Sequence, residues 1–292
     1  MRTFGARAAL VGCGLFAALS ACGGSTAAVQ IDDHASSCEL HKPVKLVPQV
    51  VAKIPHQADA YTQGLLLHEG TLYESIGLYK ESALRAINPA TGEVLAEAAL
   101  PAGAFGEGLA EGLDGELVQL TWKEETAYRW SAQSLGNLSE ATPSGTFEYR
   151  GEGWGLTRLG TADFVMTDGS ADVILRGTKD FSVTGRHHVY RLDGPTVGLN
   201  ELEWDGESVW ANRYQTDEIL QIDPECWTVI GVVDMSGLHD EAVQDASAGG
   251  SKIDVVNGIA QIPGTDRFLV TGKLWPSLYE VRFVDESSGI PG

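Results

Sequence analysis

The 292-residue chain carries 40 acidic against 20 basic residues, a formal net charge of −20. Such a field repels nucleic acid and anionic lipid surfaces, so both are set aside as partners, and solubility accounts for most of the charge. Four cysteines without a Cys-x-x-Cys pair give no sign of a structural zinc site.

At the amino end Arg2 and Arg7 lead into an apolar run from Ala8 to Ala18, too short for an ordinary membrane span. Leu19-Ser20-Ala21-Cys22 follows and resembles a bacterial lipoprotein signal, which implies removal of residues 1–21 and lipidation of Cys22. A plain secretory signal cut at Ala21 is the alternative. Either reading gives an exported domain: the first touches the outer face of the membrane only through its lipid anchor, set off from it by a linker over 22–44 that is rich in small residues, and the second is periplasmic or secreted. Losing Arg2 and Arg7 takes the net charge to about −22. In an oxidising compartment Cys38 and Cys226 read as one disulfide tying the amino-terminal segment to the fourth of five repeats, with two separate buried thiols as the alternative.

Those repeats begin at Tyr61-Thr62-Gln63-Gly64-Leu65, Phe105-Gly106-Glu107-Gly108-Leu109, Gly153-Trp154-Gly155-Leu156, Leu199-Asn200-Glu201-Leu202 and Val256-Asn257-Gly258-Ile259. Counted from Gln63, Glu107, Trp154, Asn200 and Asn257, the steps are 44, 47, 46 and 57 residues, the period of a propeller blade. Turn pairs such as Glu69-Gly70, Asp114-Gly115 and Asp205-Gly206 divide each unit into hairpins. The second strands are predicted at Thr71 to Ile76, Leu117 to Trp122, Phe164 to Thr167, Ser208 to Asn212 and Phe268 to Thr271, all rich in β-branched or aromatic residues. No long segment shows a helical apolar period, and the acidic stretch from His239 to Asp245 in the long fourth step reads as extra loop. The fold class is therefore all-β, a five-bladed β-propeller over 45–285 with a tail at 286–292, in which Val47 to Ile54 supplies the closing strand. Two stacked sheets would share the strand count but leave the five matching starts unexplained. A closed propeller without an amphipathic extension reads as a monomer.

In a propeller the five starts converge on one mouth. They bring Gln63, Glu107, Trp154, Asn200 and Asn257 together, with Glu201 and, from the ends of second strands, Trp122, Asp168, Asn212 and Lys273. Asn257 and Asp168 read as ordinary axis residues bonded to neighbouring backbone; Glu107 and Lys273 read as chemistry. There is no Gly-x-Ser-x-Gly elbow, no His-Glu-x-x-His helix and no phosphate-binding Gly-x-x-x-x-Gly-Lys loop. His187 and His188 point to opposite faces of a strand and share no ligand.

The ordered set of motifs resembles the plant-type glutaminyl cyclase family, including its bacterial members. It comprises the five starts together with Glu74-Ser75-Ile76-Gly77-Leu78-Tyr79, Leu120-Thr121-Trp122, Thr167-Asp168-Gly169-Ser170, Val209-Trp210-Ala211-Asn212 and Thr271-Gly272-Lys273-Leu274-Trp275-Pro276. The resemblance implies a five-bladed propeller that converts amino-terminal glutamine of peptides or proteins to pyroglutamate with release of ammonia. It implies Glu107 as the essential acid, Gln63, Asn200 and Lys273 as its polar partners, and Tyr61, Phe105, Trp122 and Trp154 as pocket aromatics. Tyr214 stands where plant members carry tryptophan. The family uses no catalytic zinc, so no cofactor and no metal ligand is expected, with a structural calcium in the channel left open. A metal-dependent lactonase-type hydrolase and a non-catalytic peptide- or protein-binding propeller are the competing functions.

Overall fold

The computed structural model describes residues 38–288. The expected leader, the expected lipidation site at Cys22, most of the expected linker and the last four residues lie outside that range.

After β1 (Val44–Pro55), a first antiparallel sheet takes β2 (Thr62–His68), β3 (Thr71–Ile76), β4 (Ala83–Ile87) and β5 (Val94–Ala99). A second takes β6 (Gly106–Glu111), β7 (Leu117–Thr121), β8 (Thr126–Trp130) and β9 (Gly145–Glu148), with the one-turn α1 (Ala132–Leu135) between its last two strands. A third takes β10 (Leu156–Leu159), β11 (Asp163–Thr167), β12 (Asp172–Gly177) and β13 (Val183–His188). After a short hairpin, β14 (Tyr190–Arg191) and β15 (Gly194–Pro195), come β16 (Leu199–Trp204), β17 (Val209–Arg213), β18 (Glu218–Asp223) and β19 (Thr228–Asp234). Past α2 (Ser236–Ala248) the chain ends in β20 (Val256–Gln261), β21 (Arg267–Gly272) and β22 (Ser277–Asp285). These late strands share one sheet in the order β16-β17-β18-β19-β1-β22-β21-β20.

The fold is thus all-β and propeller-like, built on four-stranded sheets. All five predicted second strands are present to within a residue or two. Their hairpins turn where both central residues carry positive φ, at Glu69-Gly70 (49° and 81°) and Asp114-Gly115 (53° and 73°), which matches the right-handed twist of the flanking strands. The expected closing strand is also found. β1 runs antiparallel along β22 from Leu46 opposite Asp285 to Pro55 opposite Ser277, and its first residues pair in parallel with Gly231–Val233 of β19.

Apolar cores lie between successive sheets. Leu84, Leu100, Leu109, Leu117 and Trp130 fill the first interface, and Val118, Phe147, Leu156, Phe164 and Phe181 the second. The innermost strands touch in sequence, β2 beside β6, β6 beside β10, β10 beside β16, β16 beside β20, and β20 again beside β2. They approach so closely that side chains are excluded at some positions. A Cβ on Gly108 would stand 2.5 Å from the Leu156 nitrogen, and one on Gly155 would enter the Asn200 carbonyl. The glycine that follows four of the five anchors is therefore a spacing requirement of the ring.

One expectation fails. The acidic stretch after His239 is the helix α2, because Leu238, Ala242 and Ala246 recur every four residues and bury one face. Two of these are alanines, too small to stand out in a charged sequence. Lys53 of β1 holds the helix through Glu241 at 2.6 Å and Asp245 at 2.5 Å, and the His239 ring stacks on Trp275. The single disulfide expected from the sequence joins Cys38 to Cys226 in the β18–β19 turn, with Cα atoms 5.9 Å apart.

Two stability outcomes follow. Cys38→Ser should lower the denaturation midpoint in non-reducing buffer and abolish its sensitivity to reductant; for a 188-residue separation, chain entropy sets an upper bound of about 5 kcal/mol. Gly108→Ala should cost roughly 1–3 kcal/mol by overpacking the ring, read by urea melts, while Gly103→Ala, with open space at its Cβ, should be close to neutral.

Candidate active site

Four of the five anchors sit at irregularities in strand pairing. Register shifts fall between Thr62 and Gly64, between Gly106 and Leu109, between Leu199 and Leu202 and between Val256 and Ile259. An extra residue in one strand re-aims a side chain out of the pleat, and here it releases Gln63, Glu107, Asn200 and Asn257 from the alternation that would otherwise bury them between sheets. Trp154 reaches the same place from the segment just before β10, where its carbonyl accepts from the Gly108 N–H at 2.7 Å.

Asn257 lies behind Gln63 and bonds the Thr62 carbonyl, while Gln63, Glu107, Trp154 and Asn200 meet around a cavity of about 320 Å³. Gln63, Glu107, Asn200 and Lys273 contribute its polar groups, and Tyr61, Phe105, Trp122, Trp154 and Tyr214 its aromatic walls. Every catalytic or substrate-binding candidate named from the sequence lines this one space. Glu107 is 4% exposed and accepts a hydrogen bond from Gln63 Nε2 at 2.9 Å. Lys273, 3% exposed, directs its ammonium over the Tyr61 ring at 4.8 Å and the Tyr214 ring at 5.4 Å. Edge contacts join Phe105 to Trp122 and Trp154 to Tyr214, at centroid separations of 5.6 and 5.3 Å, so the walls brace one another.

The electrostatics pull the two buried ionisable groups together from opposite directions. Burial pushes the Glu107 carboxyl well above its ordinary range; Lys273 opposes the shift, whereas Glu152 and Glu124 add to it. Burial also lowers Lys273, against the pull of Glu107 and Asp254. The outcome is a carboxyl that takes a proton readily beside a lysine that loses one readily.

The loop carrying Lys273 is pinned from beneath. The His56 backbone N–H donates to the Pro276 carbonyl, and its ring donates through Nδ1 to the Trp275 carbonyl at 2.8 Å and through Nε2 to Glu74 at 3.0 Å. With Glu74 as a carboxylate both partners accept, an arrangement that favours the imidazolium. Burial opposes that charge, but the Glu74 carboxylate outweighs it and raises the imidazole's pKa. Thr62 donates to the same Glu74 oxygen at 2.7 Å, which couples the strand bearing Gln63 to the turn bearing Lys273.

Other axis residues depart from the mouth. Glu201 reaches across the channel, accepting from the Leu65 N–H at 3.2 Å and the Ile259 N–H at 2.9 Å. Asn212 accepts from the Gly258 N–H, and Asp168 closes a local turn onto Ser170. His187 stacks on Trp227 while His188 pairs with Asp172, on opposite faces as expected. Among the described residues no three His, Cys, Asp or Glu side chains converge as a metal-binding group.

Several contributors are not singled out by the sequence. Leu78, at φ 81°, lines the cavity from the β3–β4 turn. Glu152 binds both pocket indoles through one oxygen, Trp122 Nε1 at 2.8 Å and Trp154 Nε1 at 3.0 Å. Asp254 accepts from the Tyr61 hydroxyl at 3.2 Å, and Glu124 accepts from Tyr79 at 2.9 Å and from the Phe105 N–H at 3.2 Å. Glu152 opens the Glu152-Gly153-Trp154-Gly155-Leu156 stretch that carries the family resemblance, but nothing local marks it as the partner of two indoles.

Comparison with known proteins agrees with the geometry. A family model described as glutamine cyclotransferase matches residues 18–283. A curated glutaminyl-peptide cyclotransferase from Arabidopsis thaliana is 38% identical over 244 residues, covering 82% of this chain and 72% of that protein. The crystal structure of Myxococcus xanthus glutaminyl cyclase superimposes with a TM-score of 0.73 at 34% identity, covering 83% of this chain and 98% of that one. The chain belongs to the glutamine cyclotransferase family.

Proposed function

We propose that this protein is a glutaminyl-peptide cyclotransferase, closing the amino-terminal glutamine of peptides or proteins to pyroglutamate with release of ammonia. The observation that carries it is a carboxyl group, Glu107, buried in the wall of an aromatic cavity that offers no serine, threonine or cysteine among its lining residues. Such a site suits a reaction whose nucleophile comes with the substrate. The α-amine attacks the γ-amide carbonyl of the same residue, so ring formation has the entropy advantage of an intramolecular step.

The substrate ammonium, whose ordinary pKa is about 7.7 to 8, first loses one proton to solvent to become the attacking amine; Glu107 then takes a proton from the α-nitrogen as it bonds to the carbonyl carbon and returns it to the departing nitrogen, which leaves as ammonia. The α-nitrogen to carbon bond forms, the carbon to amide-nitrogen bond breaks, and no covalent enzyme intermediate arises. Asn200 and Lys273 supply the polar wall for the oxygen that gains charge in the tetrahedral intermediate. Trp122, Trp154, Tyr214, Tyr61 and Phe105 enclose the glutamine side chain and shed its water.

The scaffold we propose is a five-bladed propeller, the large mixed sheet being two blades, β16–β19 and β20–β22 with β1, joined by the short parallel contact of β1 with β19. The cyclic adjacency of β2, β6, β10, β16 and β20 supports that count. The Cys38–Cys226 disulfide supports an exported protein; a lipid anchor at Cys22 and a monomeric propeller belong to the same proposal.

Glu107→Gln should fold normally by circular dichroism and lose roughly 10²- to 10⁴-fold in kcat, measured as ammonia release from a glutamine-initiated dipeptide. Wild-type kcat/KM should fall as pH drops through the raised Glu107 pKa, at a pH above the ordinary carboxylate range, because protonation removes the base. Lys273→Met removes the cation that holds this pKa down, so the acidic limb should move to higher pH; an unmoved limb would place Lys273 outside the electrostatics of Glu107.

A further inference from the structure

Behind Glu107 stands a series of amide groups whose orientation is dictated from the backbone. Asn257 Nδ2 donates to the Thr62 carbonyl oxygen at 2.9 Å and to Gln63 Oε1 at 3.2 Å, and Gln63 Nε2 donates to Glu107 Oε1 at 2.9 Å. Thr62 and Asn257 are fully buried, and Gln63 and Glu107 are each 4% exposed, so bulk water does not compete for these bonds. A backbone carbonyl only accepts, which requires the amide end of Asn257 that faces Thr62 to be its NH2. Turned over, Asn257 would set its oxygen against the Thr62 oxygen with no donor between them. Since that same NH2 also faces Gln63, Gln63 must present its oxygen there and its nitrogen to Glu107.

The carboxyl group thereby loses its symmetry. Oε1 faces a donor and keeps a lone pair, and among the described residues Oε2 has no hydrogen-bond partner. We propose that Asn257 is a positioning residue which, through Gln63, assigns the transferable proton of Glu107 to Oε2, the oxygen left for substrate. This rests on the cyclisation reading and deepens it. In the tetrahedral intermediate the attacking and leaving nitrogens are bonded to one carbon, so one oxygen can take the proton from the first and return it to the second. A carboxyl free to protonate on either oxygen would spend part of its time with the proton turned away.

Among the described residues none of the other charged or phenolic groups facing Glu107 makes a hydrogen bond or ion pair to it. Lys273 approaches from the turn after β21, Glu124 from the loop after β7 and Glu152 from the segment before β10, while the phenols of Tyr61, Tyr79 and Tyr149 complete the field. All are retained in the variants below, which are neutral substitutions and add no charge.

The test compares Asn257→Leu, Gln63→Leu and the double variant by the pH dependence of kcat and kcat/KM on a glutamine-initiated dipeptide. A hydrogen bond to the carboxylate lowers its pKa, so loss of the Gln63 donor should move the acidic limb of kcat/KM to higher pH. Asn257→Leu should reproduce that direction with kcat reduced about tenfold, and the double variant should move the limb no further than Gln63→Leu alone, the non-additivity of two links in one chain. An acidic limb that stays at the wild-type position in Asn257→Leu, or shifts that add in the double variant, would overturn the proposal. Should leucine disturb packing, Asn257→Ser, too short to span both acceptors, gives the same reading: a shifted limb supports the assignment, and lowered activity with an unshifted limb defeats it. Wild-type protein that releases no ammonia from the dipeptide would instead refute the cyclisation on which the inference rests, before any variant is compared.

Discussion

Everything at the mouth of this protein depends on how closely its innermost strands approach one another. Ordinary sheet packing leaves space for a side chain on each facing residue. Here the backbones come near enough that the Gly108 N–H bonds the Trp154 carbonyl directly, at 2.7 Å. The absent side chain beside the anchor and the pairing irregularity around it act together, one letting strands converge and the other turning a polar group toward the axis. Glu201 replaces the glycine in the fourth copy, and it stabilises the same ring differently, by accepting backbone N–H groups from the neighbouring β20 and from β2 beyond it. Architecture and chemistry therefore share a few residues.

That convergence brings a carboxyl and an ammonium into a poorly hydrated space, where each is displaced from its ordinary titration range by burial and partly drawn back by the other. The surrounding carboxylates tip the balance. Glu152 keeps its own charge, the indole N–H groups of Trp154 and Trp122 and the nearby Lys123 outweighing its burial, and from that position it raises the proton affinity of Glu107. A single residue thus fixes the orientation of two aromatic walls and adjusts the acid between them. His56, set between Glu74 and the Trp275 carbonyl, holds the Lys273 loop to the strand bearing Glu74.

Much of this was legible in the sequence, for identifiable reasons. Repetition reveals itself through spacing, so the anchors, the second strands and the closing strand could be placed without coordinates. The polar character of Glu107, Gln63 and Lys273 at positions where apolar residues would be expected marked the chemistry. Features joining distant segments were not legible. Nothing local tells Glu152 that it will receive two indoles, or Asp254 that Tyr61 will reach it. The helix α2 was hidden because its buried face rests on one leucine and two alanines. Asn257 is the sharpest case, since its residue type and position were read correctly and only the direction of its amide, set by a carbonyl 195 positions earlier, gives it a part in the reaction.

The strand that joins the beginning of the described chain to its end bears on how the molecule is made. Because β1 pairs along most of its length with β22, the ring stays open until the final strand has emerged, and the longest loop closure in the protein comes last. Sheets that form earlier expose unpaired edges in the meantime. The same seam sets the first residues of β1 opposite the last of β22, Leu46 facing Asp285, so the two could be joined by a short connection and the chain reopened at an exposed hairpin, with the cavity walls left on unbroken strands.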